Sequence, residues 1–183
     1  MSLARTRIAA RLLAVAALAA LTAGCFQPMY AEHTDGTPGL RDKLLAVEVP
    51  PVSKPNASHE ARIQVAIRNA LAFKLYGNAT GMPPLYRLDL TFATTRSTLM
   101  LDPLTALPTD ESYGINANFV LVEIATNKTM IAGTTFSRVS YDIPGSYQRF
   151  ARSRAVRDAE DRAAQEIAEH LQTRLASYFA TGI

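Results

Sequence analysis

INANFVLVEIATNKTMIAGTTFSRVSY, residues 115–141, decides how this chain folds. Two runs rich in β-branched and aromatic residues, Ile115–Ala125 and Met130–Tyr141, flank Thr126-Asn127-Lys128-Thr129. Asn tolerates a left-handed backbone, so this polar tetrad between two strand-forming runs reads as a hairpin turn. Upstream, Tyr86, Leu88, Leu90 and Phe92 alternate with Arg87, Asp89 and Thr91. A period of two buries one face of a strand and leaves the other wet. The sheet made from these runs needs a cover on one side only.

Two helices supply it. Ile63, Ile67, Leu71 and Leu75 recur every four residues with Ala66 and Ala70 beside them. That spacing predicts an amphipathic helix from an N-cap at Ser58 to about Tyr76, ended by Gly77-Asn78. From Tyr147 to about Phe179 there is no Pro or Gly; Ala163, Ile167, Leu171 and Leu175 form an apolar stripe. Ala155, Ala159, Ala164 and Ala168 let that helix approach closely. Leu44–Val49 adds a short strand, stopped by Pro50-Pro51. The order β-α-β-β-β-α predicts an α+β fold, two helices packed on one face of a roughly four-stranded mixed sheet.

Ser97–Ser112 interrupts the pattern. Pro103, Pro108, Thr109, Asp110 and Glu111 read as a long loop, yet it carries Leu99, Met100, Leu101, Leu104 and Leu107. Loops of this length are usually functional or disordered. This one either faces a partner or folds back as a lid on its own sheet. Arg96 and Arg138 would sit at one edge of a simple meander, beside that loop. Two guanidinium groups there would suit a phosphorylated lipid headgroup, since Arg grips phosphate bidentately. The alternative is that each pairs with Asp110, Glu111 or Asp142.

The N-terminus speaks of export. Arg5, Arg7 and Arg11 precede an apolar run from Leu12 to Leu21, which ends in Thr22-Ala23-Gly24-Cys25. A basic segment, a short apolar core and small residues before a cleavage point make a secretory signal peptide. About ten apolar residues are too few to span a bilayer, which takes about 20. Cys25 is the sole cysteine, placed where a bacterial lipoprotein receives its diacylglycerol; the alternative is an ordinary secretory peptide with an incidental cysteine. Two or more acyl chains anchor durably. Phe26, rather than Asp, follows the cysteine, which by the sorting habit of bacterial lipoproteins points to the outer membrane. The expected divisions are a signal peptide over 1–24, a lipidated N-terminus and tether over 25–43, and one domain over 44–183.

The three signal-peptide arginines account for the whole formal charge of +3. Nineteen Lys and Arg less these three leaves sixteen, matching sixteen Asp and Glu. Such balance argues against nucleic acid as a partner. His33, His59 and His170 lack metal-ligand spacing, and no Gly-rich phosphate loop or Gly-x-Ser-x-Gly elbow occurs. Asp158, Glu160, Asp161, Glu166 and Glu169 interleave with Arg154, Arg157, Arg162 and Arg174, the mixed charge of a helix's wet face. His170 reads as a solvated member of that face. The expectation is a binding protein with no catalytic residues, no metal and no cofactor.

Cys25-Phe26-Gln27-Pro28-Met29-Tyr30 resembles the Cys-Gly-Phe-x-Pro-Leu-Tyr opening of the LptE family of lipopolysaccharide-assembly lipoproteins, in its alphaproteobacterial form. Arg68-Asn69-Ala70-Leu71 is similar to that family's Leu-Arg-Asn-x-Leu. Ser140-Tyr141-Asp142, Phe150-Ala151 and Arg157-Asp158-Ala159-Glu160-Asp161-Arg162-Ala163 resemble its closing segment. The family's Gly after the cysteine is absent, and its Thr-Arg before the third strand is Thr109-Asp110 here. The resemblance implies a plug and assembly partner of an LptD-type outer-membrane β-barrel that contacts lipopolysaccharide, anchored on the periplasmic side. Competing classes are an auxiliary lipoprotein of an ABC-type lipid transporter and a lipoprotein activator of a cell-wall synthase.

Overall fold

Three strands of nearly equal length carry the fold. The computed structural model describes residues 38–49, 58–77, 82–143 and 148–182. Within them the order is α1 (Leu40–Leu45), β1 (Val47–Glu48), α2 (His59–Tyr76), β2 (Tyr86–Leu101), β3 (Pro108–Glu123), β4 (Lys128–Asp142) and α3 (Arg149–Thr181). The sheet runs β1-β2-β3-β4. Its first pair is parallel (Val47 opposite Tyr86) and the others antiparallel, so the sheet is mixed and the architecture α+β, as expected. The turn between β3 and β4 falls at residues 124–127, with Asn127 at φ 53°.

Register assigns the faces. Arg96, Thr94, Phe92, Leu90 and Leu88 stand opposite Tyr113, Ile115, Ala117, Phe119 and Leu121, and the same side continues on β4 as Val139, Ser137 and Thr135. This is the side the helices cover. Tyr113, Ile115, Ala117, Phe119 and Leu121 are all buried there. A strand of 16 residues spans about 50 Å at about 3.3 Å per residue. The 33-residue α3 spans the same, about 50 Å at 1.5 Å per residue, so one helix can back the full sheet. Its stripe of Ala159, Ala163, Ala164, Ile167, Ala168, Leu171 and Leu175 is buried against the sheet and against Ile63, Ile67 and Leu71 of α2. Ser58 caps α2, accepting from the Ala61 amide at 3.0 Å. Gly133 lacks a side chain because the Phe119 ring lies over it: a Cβ there would stand 3.1 Å from two ring carbons.

Three expectations are corrected. Leu44–Val49 is not one strand: α1 runs to Leu45 and only Val47–Glu48 pairs. Residues 41–43 are not tether, because Arg41–Ile183 form one compact unit and Lys43 Nζ donates to the Phe179 carbonyl at 3.4 Å. Ser97–Ser112 is not a loop either. β2 and β3 stay paired to Leu101 opposite Pro108, with register shifts around Met100, and only residues 102–107 turn. Pro108 is tolerated because it opens its strand, where a missing N–H costs no interior ladder bond. The preceding unit, Met1–Leu40, contributes only residues 38–40 to the described structure. The signal segment 1–24, Cys25 and Pro50-Pro51 lie outside the described residues. No helix among the described residues is long and apolar enough to cross a membrane.

Candidate functional site

Three features of the sheet and its helices stand out. The first is the hairpin tip. Asp102 accepts the amides of Leu104 at 2.7 Å and Thr105 at 2.9 Å, and its own amide donates to the Leu107 carbonyl at 2.8 Å. Those amides hold the Asp102 carboxyl below the usual carboxylate range. The turn is thus tied internally, with Ala106 at φ 56°, and it holds Leu104 out at 94% exposure. Leu99, Met100, Leu101 and Leu107 are each more than half exposed. None of the five folds back on the sheet as a lid would require.

The second feature is the bare face of the sheet. Thr91, Ala93 and Thr95 on β2, Asn116 and Asn118 on β3, and Thr134, Phe136 and Arg138 on β4 all point away from the helices and are all exposed. Five of these eight are uncharged Thr or Asn, and Arg87 and Asp89 further along the same side of β2 pair with each other at 3.1 Å, so the surface is broad and polar with little unpaired charge.

The third is an ionic cluster on the covered face, built around one buried carboxylate. Glu160 of α3 is 2% exposed and touches three bases. His59 Nε2 lies 2.9 Å from Oε1, Arg96 Nη2 lies 3.1 Å from Oε1, and Arg62 donates to Oε2. Arg62 also reaches Asp161 at 3.0 Å, and the Arg96 guanidinium sits 5.6 Å above the Tyr113 ring. A cavity of about 600 Å³ opens beside the cluster, lined by Ser58, His59, Arg62, Arg96, Ser153, Val156, Arg157 and Glu160. A smaller one of about 300 Å³ lies by β4, where His170 Nδ1 is 3.2 Å from the Thr135 hydroxyl. Ser137 donates to Glu166 at 2.6 Å one helical turn away.

Arg96 and Arg138 do not converge. Arg96 is opposite Tyr113 and Arg138 opposite Gly114, one residue on, so the strand alternation sends them to opposite faces. Nor does Arg96 pair with Asp110, Glu111 or Asp142; its carboxylate is Glu160, sixty-four residues on. Glu111 instead takes the Tyr141 hydroxyl and Arg152. The charged neighbours of Glu160 point to the wet face of the helix, whereas it is buried. One signal could have placed it inside. It falls seven residues before Ile167 and three before Ala163, on the apolar stripe itself.

Burial and the guanidinium groups of Arg96 and Arg62 hold His59 below the usual histidine range. A neutral imidazole can still donate Nε2–H to Glu160. The unfolded chain therefore takes up a proton near pH 6.5 that the folded chain resists, and stability should fall as pH drops below 6.5. Melting curves from pH 7.5 to 5 should show this slope in the wild type and a shallower one in His59→Gln. Equal slopes would mean that His59 stays unlinked to folding.

The fold is shared with solved bacterial lipoproteins. A lipoprotein from Caulobacter crescentus CB15 superposes with a TM-score of 0.60 at 21% identity, covering 78% of this chain and 96% of that one. Rare lipoprotein B from Shewanella oneidensis superposes with a TM-score of 0.52 at 17% identity, covering 73% and 94%. No protein-family model and no curated protein matches the sequence.

Proposed function

We propose that this chain is an outer-membrane lipoprotein, acylated at Cys25, that serves as plug and assembly partner of an LptD-type β-barrel in lipopolysaccharide transport and contacts lipopolysaccharide directly. It acts by binding and carries out no catalysis. The observation that carries this reading is the bare sheet face. A face of Thr and Asn with little charge is a poor lipid surface and a good match for the interior of an outer-membrane barrel, which is polar. The lipoprotein fold and the signal sequence support the same reading.

The test is capture in the membrane. A photo-crosslinking amino acid in place of Asn116 should trap a barrel protein in stoichiometric amount. Absence of any barrel adduct, with the acylated chain present in the outer membrane, would overturn the proposal. The hairpin tip makes a separate prediction. Replacing Leu99, Leu101 and Leu104 together by Ser should weaken barrel capture at least tenfold. Because all three are exposed, unfolding free energy should move by less than about 0.5 kcal/mol per site.

A further inference from the structure

The cleft at Glu160 has more cation than its own structure uses. Arg62, Arg96 and Arg157 face it, and Glu160 is the one carboxylate in its lining. Arg62 and Arg96 lean on Glu160, whereas Arg157 has no ion-pair partner among the described residues. A helix N-terminus and the basic start of a second helix flank this lining. The 18-residue α2 begins at His59 in the wall of the cleft. α3 begins with no acidic residue in its first turn, no side-chain cap, and Arg149, Arg152 and Arg154 in its first two turns. Positive charge at a helix N-terminus opposes the helix dipole and costs stability, so this end of α3 is built against its own folding preference. Among the described residues only Arg152 is offset, by Glu111 at 3.6 Å.

We propose that this cleft is a binding site for a phosphate group, gripped by Arg157 and Arg96 with Arg62 held in place by Glu160 and Asp161. Planar guanidinium groups match phosphate oxygens in pairs. The buried carboxylate keeps the arginines from repelling one another before the anion arrives. The same chemistry serves free phosphate and a phosphorylated lipid headgroup. The apolar tip belongs to the same hairpin as the cleft: Leu101 is five residues beyond Arg96 on β2, about 17 Å along the strand. The site stands apart from the barrel reading, since it is measured on the chain alone.

The experiment is calorimetric titration of the purified full chain in non-ionic detergent with inorganic phosphate, and separately with micelles containing phosphatidic acid or phosphatidylcholine. Phosphate should bind, and Arg157→Glu should weaken it at least tenfold while the melting temperature is kept. Arg174→Glu, the same charge change far along α3, should leave affinity within twofold. Tighter binding of phosphatidic acid than of phosphate, lost with Leu104→Ser, identifies the source as lipid. Equal binding of the two identifies free phosphate. Either result supports the site. Absence of binding to both phosphate and phosphatidic acid, or binding indifferent to Arg157→Glu, would overturn it. Loss of barrel crosslinking with phosphate binding intact would instead remove the barrel reading alone.

Discussion

Phe119→Ala is expected to destabilise the chain by about 3–5 kcal/mol, the range for removing a buried aromatic ring. Phe119 is 2% exposed at the middle of β3, on the face the helices cover. Its ring is set over Gly133 of β4 so closely that a Cβ would touch it at 3.1 Å. That glycine cannot move in to fill the space, because the sheet ladder fixes it opposite Phe119. The cavity therefore stays open, and the lost transfer energy and the void add together. Urea unfolding measures it. Phe119→Leu should cost clearly less, since it keeps most of the volume. A loss under about 1 kcal/mol for Phe119→Ala would show that the helices collapse onto the sheet, contrary to an interior close-packed against rigid strands.

Glu160→Ala comes next. Removing one partner of a fully buried ion pair costs about 3–5 kcal/mol. Here Arg62, His59 and Arg96 keep between a third and a half of their side-chain exposure, so solvent screens the orphaned charges. A loss of about 2 kcal/mol is expected on that ground. Glu160→Gln should recover part of it by keeping hydrogen-bond acceptance without charge. Pairing Glu160→Ala with Arg96→Ala should give a coupling of about 1 kcal/mol, read from a double-mutant cycle of unfolding free energies. Additive effects would mean that the 3.1 Å contact contributes nothing of its own.

The two sites differ in how far the residues alone reveal them. Phe119 was legible: it lies in the hairpin whose turn, strand type and buried alternation are local properties of residues 115–141. The two long helices were legible for the same reason, because a 3.6-residue apolar period needs only its own neighbours to be read. So was the element order from β1 onward, and with it the α+β class. α1 was not, since six residues make too short a window for periodicity.

The hairpin 97–112 is not legible locally, because Pro, Asp and Glu read as loop formers. Cross-strand pairing can hold such residues in a strand when β3 supplies the ladder, and that pairing is invisible in either segment alone. The ionic cluster was hidden more thoroughly. Glu160, His59, Arg62 and Arg96 come from α3, α2 and β2, so no spacing within one element unites them. The residues alone determined the layers and the order of the elements from β1 onward. Only the tertiary structure decided that Arg96 and Arg138 lie on opposite faces, and that one carboxylate among many is buried. The reason is physical. Periodicity reports which side of an element meets the core, but which charges meet one another depends on strand register and on where two helices cross the sheet.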